Sequence, residues 1–152
     1  MTASTRPRII VGVDGSAQSR AALGWAAHFA ERENGVVEVI TAWEYPTTYG
    51  WAALPTDLSL EHEFEKAATE TVTAVFGDVV PDYVSITVVE DNAVRAILEA
   101  SKDAFMIVVG SRGHGGFTGV LLGSVSQRVA EHATCPVLVV HGDVLDRADT
   151  AN

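Results

Sequence analysis

The chain has 152 residues, 47% of them apolar and 20% charged, which suffices for one domain with a buried core and is not typical of disorder. Ten Lys and Arg residues against 20 Asp and Glu residues give a net charge of −10, which argues against a nucleic-acid partner and against docking on an anionic membrane surface. Cys135 is the only cysteine, and no apolar run approaches the roughly 18 residues of a membrane span, so we expect a cytoplasmic protein without disulfide bonds.

Five short apolar runs, rich in β-branched residues, predict β-strands. In chain order they cover residues 8–13, 36–43, 84–89, 104–109 and 136–140. The first, fourth and fifth are nearly continuous in apolar character, which is typical of strands that are buried on both faces. The second and third alternate in part, which favours positions nearer the edge of a sheet.

Four segments of helical periodicity separate the strands and predict helices over residues 16–32, 58–76, 92–101 and 124–133. Gly35 and Gly77 lie just beyond the first two and are typical helix stops. In the fourth, Ser124 and Gln127 have the spacing of a capping box. The expected apolar stripes are, on the first helix, Leu23, Ala26, Ala27 and Ala30 and, on the second helix, Leu60, Phe64, Ala67, Thr71 and Val75.

The alternation of strands and helices predicts an α/β fold, with a parallel sheet and helices on both faces. Residues 1–142 are expected to form a single domain, followed by a short, acidic and flexible tail over residues 143–152. Residues 44–57 hold two prolines and lack helical or strand periodicity, so they predict a long loop or lid.

Ligands of an open parallel sheet bind beyond the carboxyl ends of its strands. The loop after the fourth predicted strand is the most unusual segment of the chain. Six of the 13 glycines of the whole chain fall within residues 110–123. Residues 104–130 contain no carboxylate, although residues 31–103 carry a net charge of −11. The loop leads into a predicted helix whose first turn offers free N–H groups, and Ser124 and Ser126 add hydroxyls. This segment therefore favours a phosphate ligand, with a flexible surface loop as the alternative.

Three residues in the loops that follow the first and fourth predicted strands are open to more than one interpretation. Asp14 is either a turn or N-cap aspartate, or a carboxylate that reaches a ribose hydroxyl or a nucleotide-bound metal. Arg112 is either a solvated charge or a phosphate contact. His114 has no second ligand at metal-binding spacing, so we expect no metal site made by the protein alone. The P-loop pattern and the dinucleotide pattern G-x-G-x-x-G are both absent from the relevant loops.

The glycine-rich loop resembles the nucleotide-binding pattern of the universal stress protein family, G-x-x-G-x₉-G-[ST]. It reads Gly110, two residues, Gly113, nine residues, then Gly123 and Ser124. The segment Val13-Asp14-Gly15-Ser16 is similar to the first strand-to-helix turn of that family, and residues 134–140 are similar to its last strand. Gly12 departs from members that carry proline at this position.

The resemblance implies a Rossmann-like fold, of the adenine nucleotide alpha hydrolase type, with strand order 3-2-1-4-5. It implies that ATP, with Mg²⁺, binds between strands one and four, where Asp14 holds the ribose or the metal-linked phosphate. The residues it assigns to the adenine pocket are Gly12, Val13 and Ala42. Those it assigns to the rest of the nucleotide are Val109, Gly110, Arg112, Gly113, Gly123, Ser124, Val125 and Ser126.

Members of this family usually pair through their last strands, so the resemblance also implies a homodimer through Val137–Val140. Two classes of function are then open: a regulatory module that responds to ATP, or a slow ATPase or phosphotransferase. Efficient phosphoryl transfer needs a positioned base and concentrated positive charge, and no lysine lies near either motif, so we favour binding over catalysis. A preference for cyclic AMP is a third possibility.

Overall fold

The computed structural model describes residues 6–44, 57–112 and 122–141, and every predicted strand and helix is present within them. The strands are β1 (Arg8–Gly12), β2 (Val36–Trp43), β3 (Val84–Glu90), β4 (Met106–Gly110) and β5 (Val137–Val140). The helices are α1 (Ala17–Glu33), α2 (Asp57–Phe76), α3 (Ala93–Ala100) and α4 (Ser124–His132). Observed ends differ from the predicted ones by at most two residues. Most of the predicted loop over 44–57 and the whole predicted tail over 143–152 lie outside the described residues.

The five strands form one parallel sheet in the order β3-β2-β1-β4-β5, which confirms the predicted fold. The chain runs from β1 outward to β2 and β3, then crosses to β4 on the other side of β1. Such a switch point opens a crevice beyond the carboxyl ends of the two central strands. The topology therefore places the ends of β1 and β4 at the expected ligand site.

Each face of the sheet has its own apolar core, as the predicted helices on both faces require. On one face, Leu23 of α1 and Val72 of α2 are fully buried in a cluster with residues of β1, β2 and β4. On the other face, Ile97 of α3 and Val129 of α4 pack against a second cluster from the central strands. The sheet is thus packed on both faces, and the loops that follow β1 and β4 leave it at its carboxyl edge.

The prediction that the fifth strand is buried on both faces was wrong. β5 is an edge strand paired with β4, and Val137, Leu138 and Val139 are only half-buried. β2, expected nearer an edge, is an interior strand with one neighbour on each side, whereas β3 lies at the edge as expected. An apolar run alone does not distinguish an interior strand from an apolar strand at the edge of the sheet.

The first helix begins as predicted but ends one residue earlier than the glycine suggested. Ser16 is the N-cap, and its hydroxyl accepts the N–H of Ser19 at 3.2 Å. The left-handed residue that ends α1 is Asn34, with a φ of 54°, rather than Gly35. Gly35 is required for a different reason, because a Cβ there would lie 2.6 Å from the carbonyl oxygen of Pro7.

Two other local predictions need correction. On α2 the predicted stripe is wrong at Ala67, which is exposed, while its neighbour Ala68 is buried. Thr71 is buried and Val75 packs against the first core, as expected. The capping box at α4 is absent: Gly123 is the N-cap, and the Gln127 side chain donates to Glu131 instead. Gly77 has a φ of 84° directly after α2, which confirms that stop. Over the parts of the chain with described structure, no helix is both long and apolar enough to cross a membrane.

Candidate functional site

β1 leads into a tight turn at the switch point. The N–H of Val13 donates to the carbonyl of Ile40 at 3.0 Å, so the chain follows β2 for one residue beyond β1. The Asp14 carboxylate then accepts the N–H of Ser16 at 2.9 Å, and Gly15 turns the chain with a φ of 85°. Asp14 is exposed. Its carboxylate therefore shapes the turn, as one interpretation of the sequence expected, at a place where a ligand can reach it.

Three small or apolar residues lie at or next to the last residues of neighbouring strands, on the face covered by α3. Val109 is buried in the second apolar core, and Ala42 packs against that core from β2. Gly12 lies between them, where a Cβ would be 2.6 Å from Ile97 Cδ1 and 3.7 Å from Val109 Cγ1. Of the residues that the resemblance assigns to the adenine pocket, Gly12 and Ala42 thus lie with Val109 in one apolar wall, whereas the side chain of Val13 is buried in the apolar core on the other face.

Ser111, the residue after β4, holds the two ends of the glycine-rich loop side by side. Its carbonyl oxygen accepts the N–H of Gly123 and the hydroxyl of Ser126, the latter at 3.0 Å. Its own N–H donates to the carbonyl of Val140 at 2.8 Å. Ser111 and Ser126 are each 2% exposed. The predicted hydroxyl of Ser126 is therefore directed into the protein, where it fixes the loop rather than facing solvent.

Gln18, on the first turn of α1, makes a second connection to the same segment. Its side-chain oxygen accepts the N–H of Arg112 at 2.6 Å and the hydroxyl of Ser111 at 3.1 Å. The contact is possible because α1 approaches β4 closely at Gly110, where a Cβ would lie 2.9 Å from Gln18 Cβ. A single sequence carries no signal for Gln18, since a glutamine at this helical position has no special spacing.

The first turn of α4 begins directly after Gly123, where the sequence predicted a phosphate ligand. The N–H groups of Ser124, Val125 and Ser126 precede the first intrahelical bond, in which Gln127 donates to Gly123 at 3.0 Å. Such groups carry partial positive charge and favour negatively charged ligands. The side chains of Ser124 and Val125 are exposed, so the turn is open to solvent.

Two arginines lie close to the crevice. Arg112 is half-buried at the start of the glycine-rich loop. Arg20, which sequence reasoning did not single out, donates to the carbonyl of Gly15 at 2.8 Å and so places a positive charge beside the Asp14 turn. Gly113, predicted from the loop pattern, and its neighbour His114 lie outside the described residues.

A separate cavity of about 540 Å³ lies between α3 and α4 and is lined by both apolar and charged side chains. Two of its cations are already paired, Arg95 with Asp91 and Lys102 with Glu99, each at 3.0 Å. Among the described residues, no group of three or more His, Cys, Asp or Glu side chains is arranged to hold a metal ion. We therefore take the carboxyl ends of β1 and β4 as the candidate site, because the Asp14 turn, the apolar wall and the first turn of α4 all lie there.

Comparison with known proteins shows the family of the chain. Residues 5–141 match the model of the universal stress protein family. A universal stress protein of Mycolicibacterium smegmatis is 37% identical over 147 residues, which cover 92% of this chain and 50% of that protein. The chain thus spans about half the length of the curated relatives it matches, from 43% to 50% of each.

Two solved structures share the architecture. One, a universal stress protein in complex with cAMP, is 26% identical with a TM-score of 0.58, and the match covers 91% of this chain and 98% of that one. The other, the universal stress protein from Archaeoglobus fulgidus in complex with dAMP, is 18% identical with a TM-score of 0.64, over 89% of this chain and 97% of that one. The second likeness concerns the fold alone.

Proposed function

The chain belongs to the universal stress protein family, and from that premise we propose that it is a regulatory module that binds ATP, with Mg²⁺, at the carboxyl ends of β1 and β4. The observation that supports this most strongly is the pairing of the loop ends at Ser111, which holds the open first turn of α4 beside the end of β4. A preformed row of N–H groups binds phosphate without a lysine. The residues proposed to contact the nucleotide are Gly12, Val13, Asp14, Ala42, Val109, Gly110, Arg112, Gly113, Gly123, Ser124, Val125 and Ser126.

The adenine and ribose are proposed to lie at the β1 side of the crevice. Gly12, Ala42 and Val109 form an apolar wall there, which suits the flat face of a purine. Asp14, held by its bond to the Ser16 N–H, is suited to accept a hydroxyl of the ribose. The complex of a related structure with cAMP supports an adenine nucleotide as the ligand class.

The phosphates are proposed to lie between Arg112 and the first turn of α4. The protein alone offers no metal cluster among its described residues, so Mg²⁺ would be held chiefly by phosphate oxygens, with Asp14 as the nearest carboxylate of the site. There it would neutralise phosphate charge. The net charge of −10 does not oppose this arrangement, because residues 104–130 contain no acid.

Binding is favoured over catalysis because Asp14 and Arg112 are the charged side chains among the residues proposed to contact the nucleotide. Phosphoryl transfer calls for a positioned base and for positive charge on the transferred group. Both lysines of the chain, Lys66 and Lys102, lie elsewhere: one on α2, the other just beyond α3 and paired with Glu99. A slow ATPase or phosphotransferase is the alternative, and product formed in a single-turnover assay well above the buffer rate would favour it.

Cyclic AMP is a second candidate ligand, because a structure 26% identical to this chain was solved with cAMP. Base and ribose contacts would be shared with ATP, whereas the first turn of α4 favours the larger charge of a triphosphate. We also propose that two copies pair through β5 (Val137–Val140), a half-buried apolar edge. A cytoplasmic location and the lack of a nucleic-acid partner stay predictions from composition.

Calorimetric titration with ATP, ADP, AMP and cyclic AMP tests the proposed function. We expect ATP to bind, with affinity falling as phosphates are removed, because each lost phosphate removes charge from the α4 turn. Tighter binding of cyclic AMP than of ATP would transfer the assignment to the second candidate. Failure of all four nucleotides to bind would overturn the proposal.

A further inference from the structure

We propose that Gln18 is a positioning residue that sets the course of the glycine-rich loop as it leaves the sheet. Its side-chain oxygen accepts two hydrogen bonds, from the Arg112 N–H at 2.6 Å and from the Ser111 hydroxyl at 3.1 Å. An amide oxygen has two lone pairs, so this arrangement uses its full accepting capacity. The effect on affinity rests on the proposed nucleotide function, but the geometry does not.

The contact between Gln18 and Arg112 matters because β4 ends at Gly110, and regular strand pairing ends with it. The Ser111 N–H is bonded to Val140, the outer neighbour, and the Ser111 carbonyl is bonded to Gly123 and Ser126. The next N–H along the chain, that of Arg112, is bonded to Gln18 instead of to a strand. Gln18 thus supplies the hydrogen-bond acceptor for an N–H group that lies beyond the regular pairing of the sheet.

Gln18 also joins the two halves of the proposed site. It lies on the first turn of α1, whose N-cap Ser16 is bonded to the Asp14 carboxylate. Its contact with Arg112 ties that turn to the loop proposed to hold phosphates. The tie is short because α1 almost touches β4 at Gly110, where a Cβ would meet both the side chain and the backbone of Gln18 within 3.2 Å.

The variant that removes the acceptor with little change of shape is Gln18→Met, since methionine has similar length and helix propensity. A matched control is Gln127→Met on α4, where the side chain of the glutamine is exposed and, within the described residues, donates to Glu131. Gln18→Glu is a second variant, because a carboxylate retains an acceptor oxygen at the same place. Circular dichroism of each variant verifies that it is folded.

Amide hydrogen exchange without nucleotide tests the geometry. We expect the Arg112 N–H to exchange about tenfold faster in Gln18→Met than in the unsubstituted protein, and at the unsubstituted rate in Gln127→Met and Gln18→Glu. Equal exchange at Arg112 in Gln18→Met, or loss of protection in Gln18→Glu, would overturn the inference. This experiment gives its answer even if no nucleotide binds.

Calorimetry with ATP tests the consequence for ligand binding. We expect the Kd for ATP to rise about tenfold in Gln18→Met and by less than twofold in Gln127→Met. An unchanged Kd in folded Gln18→Met would overturn the positioning role. If the unsubstituted protein itself binds no adenine nucleotide, the proposed function fails, and the exchange experiment still decides the role of Gln18 in the loop.

Discussion

The hydroxyl oxygen of Ser126 lies 3.0 Å from the carbonyl oxygen of Ser111, and both residues are 2% exposed. The first belongs to the opening turn of α4, and the second follows the last residue of β4. Fifteen positions separate them in the chain, and the glycine-rich loop lies between. This bond and that of the Gly123 N–H hold Ser111 and Gly123, near the two ends of the loop, beside each other.

Removal of the Ser126 hydroxyl should weaken the protein measurably. In Ser126→Ala the Ser111 carbonyl keeps its bond to Gly123 but loses the second donor in a buried place, so we expect the free energy of unfolding to fall by about 1 kcal/mol. Ser124→Ala, at an exposed position of the same turn, should change it by less than about 0.5 kcal/mol. Urea denaturation measures both. Equal losses in the two variants would contradict the role given to Ser126.

Gly110 and Gly12 should differ in their tolerance of a methyl group. At Gly110 a Cβ would meet the backbone carbon of Gln18 at 3.1 Å as well as its Cβ, so α1 must move off β4, and we expect Gly110→Ala to cost about 2 kcal/mol. At Gly12 the closest contact, 2.6 Å, is to the end of the Ile97 side chain, which can turn aside.

The cost of Gly12→Ala should therefore be smaller, about 1 kcal/mol, although the methyl narrows the proposed adenine pocket. Thermal or urea denaturation of the two variants gives the comparison. A larger loss of stability for Gly12→Ala than for Gly110→Ala would mean that the close approach of α1 to β4 is not rigid.

Asp14 can be tested for its two roles separately. Asn keeps the oxygen that accepts the Ser16 N–H, whereas Ala removes it, so Asp14→Ala should be less stable than Asp14→Asn by about 1 kcal/mol. If the carboxylate also contacts the ribose or the metal-linked phosphate, both variants should bind ATP with Mg²⁺ about tenfold more weakly. Full ATP affinity in Asp14→Asn would leave Asp14 as a turn residue only.

The proposed dimer makes a prediction about the two edges of the sheet. A lysine on an edge strand disfavours pairing with another chain, so Val139→Lys on β5 should shift the protein from dimer to monomer in sedimentation experiments. Ile86→Lys on β3, at the opposite edge and 38% exposed, should leave the dimer intact. Dissociation by the second variant alone would place the interface at β3.

The sequence was sufficient for the order of elements, because β-branched runs and helical spacing are properties of short segments. It was less reliable where tertiary contact decides. On α2 the prediction was wrong at Ala67, because the packing of the helix on α1, β2 and β3 places Ala68 in the core instead. Gly123 rather than Ser124 caps α4, because the Gly123 N–H is drawn to the Ser111 carbonyl.

At the candidate site, too, features of short segments were predictable from the sequence, whereas contacts between distant residues were not. Glycine density and the lack of acids were visible in the chain and drew attention to the end of β4, where the proposed site lies. The roles of Gln18 and Ser111 were not visible, because 93 positions separate the partners of that bond and neither belongs to a motif. Contacts of this range depend on the approach of α1 to β4 at Gly110, which only the folded structure shows.

The most direct test of the account is a titration of the ¹⁵N-labelled protein with ATP and Mg²⁺, followed by two-dimensional amide NMR. We predict that the largest shifts fall at the carboxyl ends of β1 and β4 and on the first turn of α4, at Val13, Asp14, Arg112, Ser124 and Val125. The cavity between α3 and α4 should show little change at Arg95 and Lys102. Shifts centred on that cavity, or no shifts at saturating ATP, would contradict the central claim.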